Sequence, residues 1–231
     1  MTKQELIRAR IPSRLAEYFL GLFLMTAGIA FSVLSDLGVS PLSSLPYAAT
    51  LCFGLEMGLG TMIMHALFVL MQLLLLRKEF RPAMLLQIPA GIVFGWFTTL
   101  CNGLVGMIPK SGFFPLQLVM QLISIMLVAV GIHFYLPANI IPLAGEGIVS
   151  AISVKFRLDF AKVKIGFDVA TVILAAAVCL IVNGSFGSVG IGTLMSALLT
   201  GTFIAWINKL FPGRNNKDDK NKNRNKKGQQ K

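Results

Sequence analysis

Six apolar stretches dominate this sequence: Leu15–Leu34, Thr61–Leu76, Met84–Leu104, Phe114–Leu136, Ile165–Val182 and Val189–Leu210. A helix needs about 20 mostly apolar residues to cross a bilayer, and each stretch meets or nearly meets that length. Backbone polar groups in hydrocarbon must be satisfied within their own segment, so these stretches read as membrane helices. The chain is 55% hydrophobic and only 13% charged, against about 45–50% and about 25% in soluble domains. That balance excludes a disordered chain, a disulfide-stapled secreted mini-domain and an ordinary cytosolic enzyme. The first stretch has a basic leader. Its apolar core is too long for a signal-peptide h-region and no convincing cleavage site follows, so it reads as a retained span.

Charge sets the topology. Lys3, Arg8, Arg10 and Arg14 precede the first stretch, and Arg77, Lys78 and Arg81 follow the second. Lys155, Arg157, Lys162 and Lys164 follow the fourth, and nine more lie from Lys209 onward. The remaining loops hold only Lys110, so 20 of 21 basic residues fall on one side. The positive-inside rule then predicts six spans with both termini in the cytoplasm. The tail, 212–231, carries eight Lys/Arg against Asp218 and Asp219 and no large apolar residue. It reads as a disordered basic tail beside a membrane surface, with no aromatic interleaving to suggest a nucleic-acid partner. The leader is 1–13 and the membrane domain 14–211. Cys52, Cys101 and Cys179 form no CxxC pair and read as buried small hydrophobes.

Two leftover segments are too apolar for plain loops: Gly38–Gly58, with Pro41 and Pro46, and Asn139–Val154, with Pro142. Reading them as full spans would move Arg77–Arg81 outside, so they are expected to be re-entrant or interfacial half-helices. A shift of the chain by 101 residues lays span on span and half-helix on half-helix. Pro41-Leu42 then falls on Pro142-Leu143, and Gly91, Gly95 and Thr99 fall on Gly192, Ser196 and Thr200. Small residues at i, i+4, i+8 form a helix-packing face in lipid. Three spans per half make the halves, about 14–110 and 111–211, inverted repeats. In transporters of that kind the site lies near the midplane, where broken segments meet.

Candidate binding residues follow from that expectation. Ser40, Ser43 and Ser44 surround Pro41, where a helix start would offer N–H groups and hydroxyls to an anionic or hydrogen-bonding ligand. Glu146 stands between Gly145 and Gly147 and could supply charge or couple protons. Gln117 and Gln121 share a helix face, read either as a cavity wall or as interhelical hydrogen bonding; Gln72 and Gln87 are read the same way. Glu17 and Asp168 can pair locally with Arg14 and Lys164. His65 and His133 are each isolated, and a satisfied interior histidine fits them better than a metal ligand. No enzyme signature, metal motif or cofactor fingerprint is present.

The segment Ser35-Asp36-Leu37-Gly38-Val39-Ser40-Pro41, after a glycine-containing first span, resembles the YczE/YyaS/YitT-type bacterial integral membrane proteins. In the YczE-like branch a "DLGxSPW" segment follows the first span; here Leu42 replaces the aromatic. Ala138-Asn139-Ile140-Ile141-Pro142 holds the matching place in the second half, without a glycine before its proline. The resemblance spans residues 10–210 and implies a multi-pass protein of the bacterial cytoplasmic membrane. It supplies no catalytic residues.

Taken together, the expectation is an all-α membrane protein of six spans in two inverted halves, each with a proline-containing half-helix. The expected function is a small-solute transporter or substrate-binding membrane subunit, not an enzyme, needing no cofactor and no metal. Its partners would be the bilayer, a solute, and a second copy or another membrane protein. The alternative is a scaffold or regulatory membrane protein acting through its small-residue faces.

Overall fold

The computed structural model describes residues 3–211, with side chains from Ile11 onward. The basic tail expected at 212–231 lies outside the described residues. Eight α-helices follow in order: α1 (Lys3–Ser35), α2 (Pro41–Phe53), α3 (Met57–Leu76), α4 (Gln87–Val105), α5 (Phe114–Ala138), α6 (Ala144–Phe156), α7 (Phe160–Asn183) and α8 (Ile191–Leu210). Short 3₁₀ turns join α3 to α4. Helices α1, α3, α4, α5, α7 and α8 are long and apolar enough to cross a membrane. Helices α2 and α6 have 13 residues each, about 20 Å, too short to cross. Pro41 opens α2, but Pro142 lies two residues ahead of α6 rather than within it.

The burial pattern suits a lipid solvent. Leu74, Ile173, Ile181, Leu194 and Leu198 are exposed, while Thr26, Ser35, Gln72, Thr98 and Gln121 are fully enclosed. Apolar side chains gain nothing by leaving lipid, so polar contacts and close backbone approach hold the helices together.

Antiparallel α1 and α5 form the central pair. A Cβ on Gly28 would meet the Ser124 carbonyl oxygen at 2.8 Å and Val128 Cγ2 at 2.7 Å. One on Gly131 would meet the Gly21 oxygen at 2.7 Å and Met25 Cγ at 2.6 Å. Arg14, expected to pair with Glu17, instead donates from Nη2 to the carbonyl of Ala138 at 2.7 Å. A cation at the C-terminus of α5 suits that helix's dipole.

The other helices pack in matching pairs: α1 on α4 and α5 on α8, α2 on α7 and α6 on α3, α2 on α3 and α6 on α7. Only α3 and α4 lack a close counterpart, because α7 and α8 are splayed apart. The structural landmarks recur every 103 residues, two more than the apolar blocks suggest. Left-handed residues end the central helices at Asp36 and Asn139, and the short helices at Gly54 and Arg157. Acidic N-caps open α3 at Glu56 and α7 at Asp159. Apolar block edges follow composition, whereas caps mark where the chain turns, so the caps fix the register better.

The small-residue faces are covered. A Cβ on Gly91 would strike His65, and one on Gly95 would lie 2.6 Å from the Gly58 oxygen. Thr99 donates to Glu56 at 3.0 Å, tying α4 to the start of α3. A Cβ on Gly192 would lie 2.8 Å from the Gly38 oxygen. Ser196 accepts from Gln121 at 2.9 Å, and Thr200 donates to the Ser196 carbonyl.

Helix α2 runs beside the C-terminal half of α7. Ser44 Oγ is 3.5 Å from the carbonyl of Thr171, half-way along α7, and Leu51 accepts from Asn183 at its end. Between them Cys52 and Cys179 stand with sulfurs 3.7 Å apart. They are neighbours, which the sequence did not suggest. Copper-phenanthroline oxidation of the purified protein should therefore join Cys52 to Cys179, the thiols losing two protons and two electrons to the oxidant. Mass spectrometry of the digest checks this. Failure to cross-link, with both thiols open to alkylation, would break the α2–α7 packing.

Candidate functional site

Two cavities flank the tip of α6. The central one, about 390 Å³, lies between Ser40, Leu42 and Ser43 of α2 and Gly145 and Glu146 of α6. Its walls are largely apolar, with Met25 and Ile29 from α1, Met64 and Phe68 from α3 and Phe94 from α4. Lys164 and Asp168 of α7 and Ser196 and Thr200 of α8 border it where those two helices splay. The second cavity, about 580 Å³, is a vestibule lined by Gln72, Glu79, Arg81, Pro142, Ser150 and Phe160. Glu146 lines both.

The geometry follows from how each short helix starts. Pro41 sits at the first position of α2, where its missing N–H costs nothing. Ser40, the N-cap, makes no side-chain cap bond; its hydroxyl donates to Ser43 Oγ at 3.1 Å. Ser44 is turned away from the cavity, donating to the Pro41 carbonyl at 2.6 Å. Opposite, Gly145 makes room for Leu42, whose Cδ1 would lie 2.8 Å from a Cβ there. The two helix tips therefore touch through Leu42 and Gly145. Gln72 and Gln87 exchange amide hydrogen bonds of 2.9 and 3.2 Å, and Gln72 also donates to the Ala144 carbonyl. A Cβ on Gly147 would collide with both amides, so this pair seats the start of α6.

Glu146 occupies the third position of α6, where a carboxylate suits the helix dipole. Its Oε2 accepts from the Tyr135 hydroxyl at 2.9 Å, and Tyr135 in turn accepts from the Leu143 amide. Burial pushes the Glu146 carboxyl above the usual range, while the Tyr135 bond and the nearby Lys164 charge pull it down. Tyr18 secures the approach to α6 by donating to the Ile141 carbonyl at 3.1 Å.

Ser40, Ser43 and Glu146 thus come together at one cavity. Gln121 does not join them. It is fully buried, accepting from Ser35 at 2.8 Å and donating to the Gly192 carbonyl at 3.0 Å. Gln117 is not among the lining residues. Lys164 and Asp168 pair with each other, as the i, i+4 spacing suggests. His133 bonds Asn208 at 2.6 Å. His65 differs from its expected satisfied state: it is 3% exposed, stacks on Phe94, and its Nδ1 has no hydrogen-bond partner. Tyr135 and Tyr18 were missed in the sequence because neither lies near a motif.

Comparison with known proteins adds a family without a function. Residues 12–209 match a family of unknown function, DUF6198. The uncharacterized membrane protein YczE of Bacillus subtilis (strain 168) is 25% identical over 203 residues, 87% of this chain and 86% of that protein. No solved structure matches.

Proposed function

We propose that this chain, which belongs to the DUF6198 family, is a small-solute transporter with its site between the tips of α2 and α6. It is a multi-pass membrane protein, and its Bacillus relative is by name a membrane protein. One observation carries the reading: Glu146 lines both the central cavity and the vestibule, so one ionisable group borders two cavities. Ionisable groups inside a membrane protein are costly and mark solute or proton paths.

The halves act as inverted repeats in this reading. In the 103-residue register Gly28 corresponds to Gly131, and its contacts Ser124 and Val128 correspond to Gly21 and Met25, which Gly131 meets. Leu42 and Gly145 are counterparts that touch each other, so a two-fold axis would pass between them. Helices α2 and α6 are then re-entrant from opposite faces, with both chain termini in the cytoplasm of a bacterial cell. Rocking one half against the other would expose the central cavity to each side in turn. A scaffold acting through the small-residue faces is less well supported, since those faces are covered within the fold.

The test needs no known substrate. In a cysteine-free background, Ser43→Cys in the central cavity and Ser150→Cys in the vestibule are probed with an impermeant maleimide from each side of the membrane. Position 150 should label from the cytoplasmic side only, and position 43 from both sides. Position 43 labelling from neither side would overturn the transporter reading.

A further inference from the structure

We infer that the central cavity takes a small organic cation, a protonated amine on an apolar body, with Glu146 as its counter-ion. This rests on the site proposed above. The first ground is a carboxylate with no ion-pair partner. Among the described residues the ion pairs are Lys110–Asp36 and Lys164–Asp168. Lys164, the cation at the cavity edge, is therefore committed to Asp168, and Glu146 is held by the neutral Tyr135 hydroxyl at 2.9 Å. A largely enclosed carboxylate with no cation bonded to it is unfavourable, and a cationic ligand relieves it.

The second ground is the lining. His65 borders the cavity stacked on Phe94, its unpartnered Nδ1 enclosed against Gly91 rather than turned to the space. The walls fit the same ligand. Phe68, Phe94, Met25 and Met64 surround the space, and aromatic faces attract cations that have lost water. A bare metal ion fits poorly, since no group of three or more His, Cys, Asp or Glu could hold one among the described residues. The helix tips, which would otherwise favour an anion, are answered by the chain itself. Glu146 stands at the tip of α6, and at that of α2 Pro41 removes one N–H while the Ser43 N–H is bonded to the Ser40 carbonyl. A cavity of about 390 Å³ is at the small end of ligand pockets, which limits the apolar body to a short chain or single ring.

Three probes with one chain and different heads separate the classes: hexylammonium, hexanoate and 1-hexanol, added to the full-length detergent-purified protein. Two readouts are taken, the melting midpoint and protection of Ser43→Cys from maleimide with Glu146 intact. Hexylammonium should raise the midpoint and protect the introduced thiol, and its apparent affinity should fall more than about 100-fold in Glu146→Gln. Hexanoate and hexanol should do neither. Protection by hexanoate instead would overturn the cation while leaving the site in place. Equal action of hexylammonium on Glu146→Gln would likewise overturn it, as would no effect of any probe on a Ser43→Cys variant that reacts with maleimide. A Ser43→Cys variant unreactive from both sides would overturn the transporter reading itself.

Discussion

Gly131→Ala will lower stability by about 3 kcal/mol or more, whereas Gly166→Ala will leave it unchanged or raise it by up to about 1 kcal/mol. The substitution is identical and only the surroundings differ. A Cβ at 131 would stand 2.7 Å from the Gly21 oxygen and 2.7 Å from the Met25 backbone nitrogen. Those atoms belong to the backbone of α1, so no side-chain rotation relieves the clash and the central pair of helices must separate. Gly166 on α7 has nothing within 4 Å of its Cβ direction, so alanine there only improves helix propensity. The yield of monodisperse protein and its thermal midpoint in detergent decide the matter. Equal midpoints for the two variants would mean that α1 and α5 do not approach this closely. Gly28→Ala should match Gly131→Ala, because its Cβ would lie 2.8 Å from the Ser124 oxygen.

Glu146→Gln will sharply weaken solute binding without weakening the fold. A glutamine oxygen still accepts the Tyr135 hydroxyl, so the support of α6 survives. Removing one partner of a buried charge pair costs about 3–5 kcal/mol, which predicts a loss of more than about 100-fold in affinity for a cationic ligand. Stability moves the other way. Burial holds the folded-state carboxyl above the usual value of 4.5, so the folded state binds this proton more tightly than the unfolded one. Its contribution is greatest below pH 4.5 and is lost as pH rises through the folded value. At neutral pH the ionised wild type therefore carries a burden that glutamine lacks. The variant's midpoint should equal or exceed that of wild type at about pH 7, and the gap should close near about pH 4. A variant that melts well below wild type at neutral pH would make Glu146 a structural residue.

The six crossing helices and both short ones can be read from the sequence, because hydropathy and proline placement are local. Thr61–Leu76 lies within the span Met57–Glu79, and Phe114–Leu136 within Phe114–Ala138. The serines around Pro41 mark the tip of α2 for the same reason: Pro41 is pre-shaped for the first position of a helix. Their division of labour is not legible. Ser43 lines the cavity while Ser44, one position on, bonds the Pro41 carbonyl. One residue is about 100° of helix rotation, and which direction faces the cavity depends on where α7 packs. Gln121 shows the same limit. Its spacing from Gln117 defines a face, but Ser35 and Gly192, far away in sequence, decide that it is sealed among helices.

The sequence alone therefore determined what crosses the membrane, because lipid judges each segment by its own composition. The tertiary structure alone decided what meets at the centre: the tips of α2 and α6, the Tyr135 hydroxyl on Glu146, and the ring of His65 on Phe94. Those contacts join different helices. In lipid, helices are held together by close approach of small residues and by individual hydrogen bonds, whose partners have no fixed spacing along the chain.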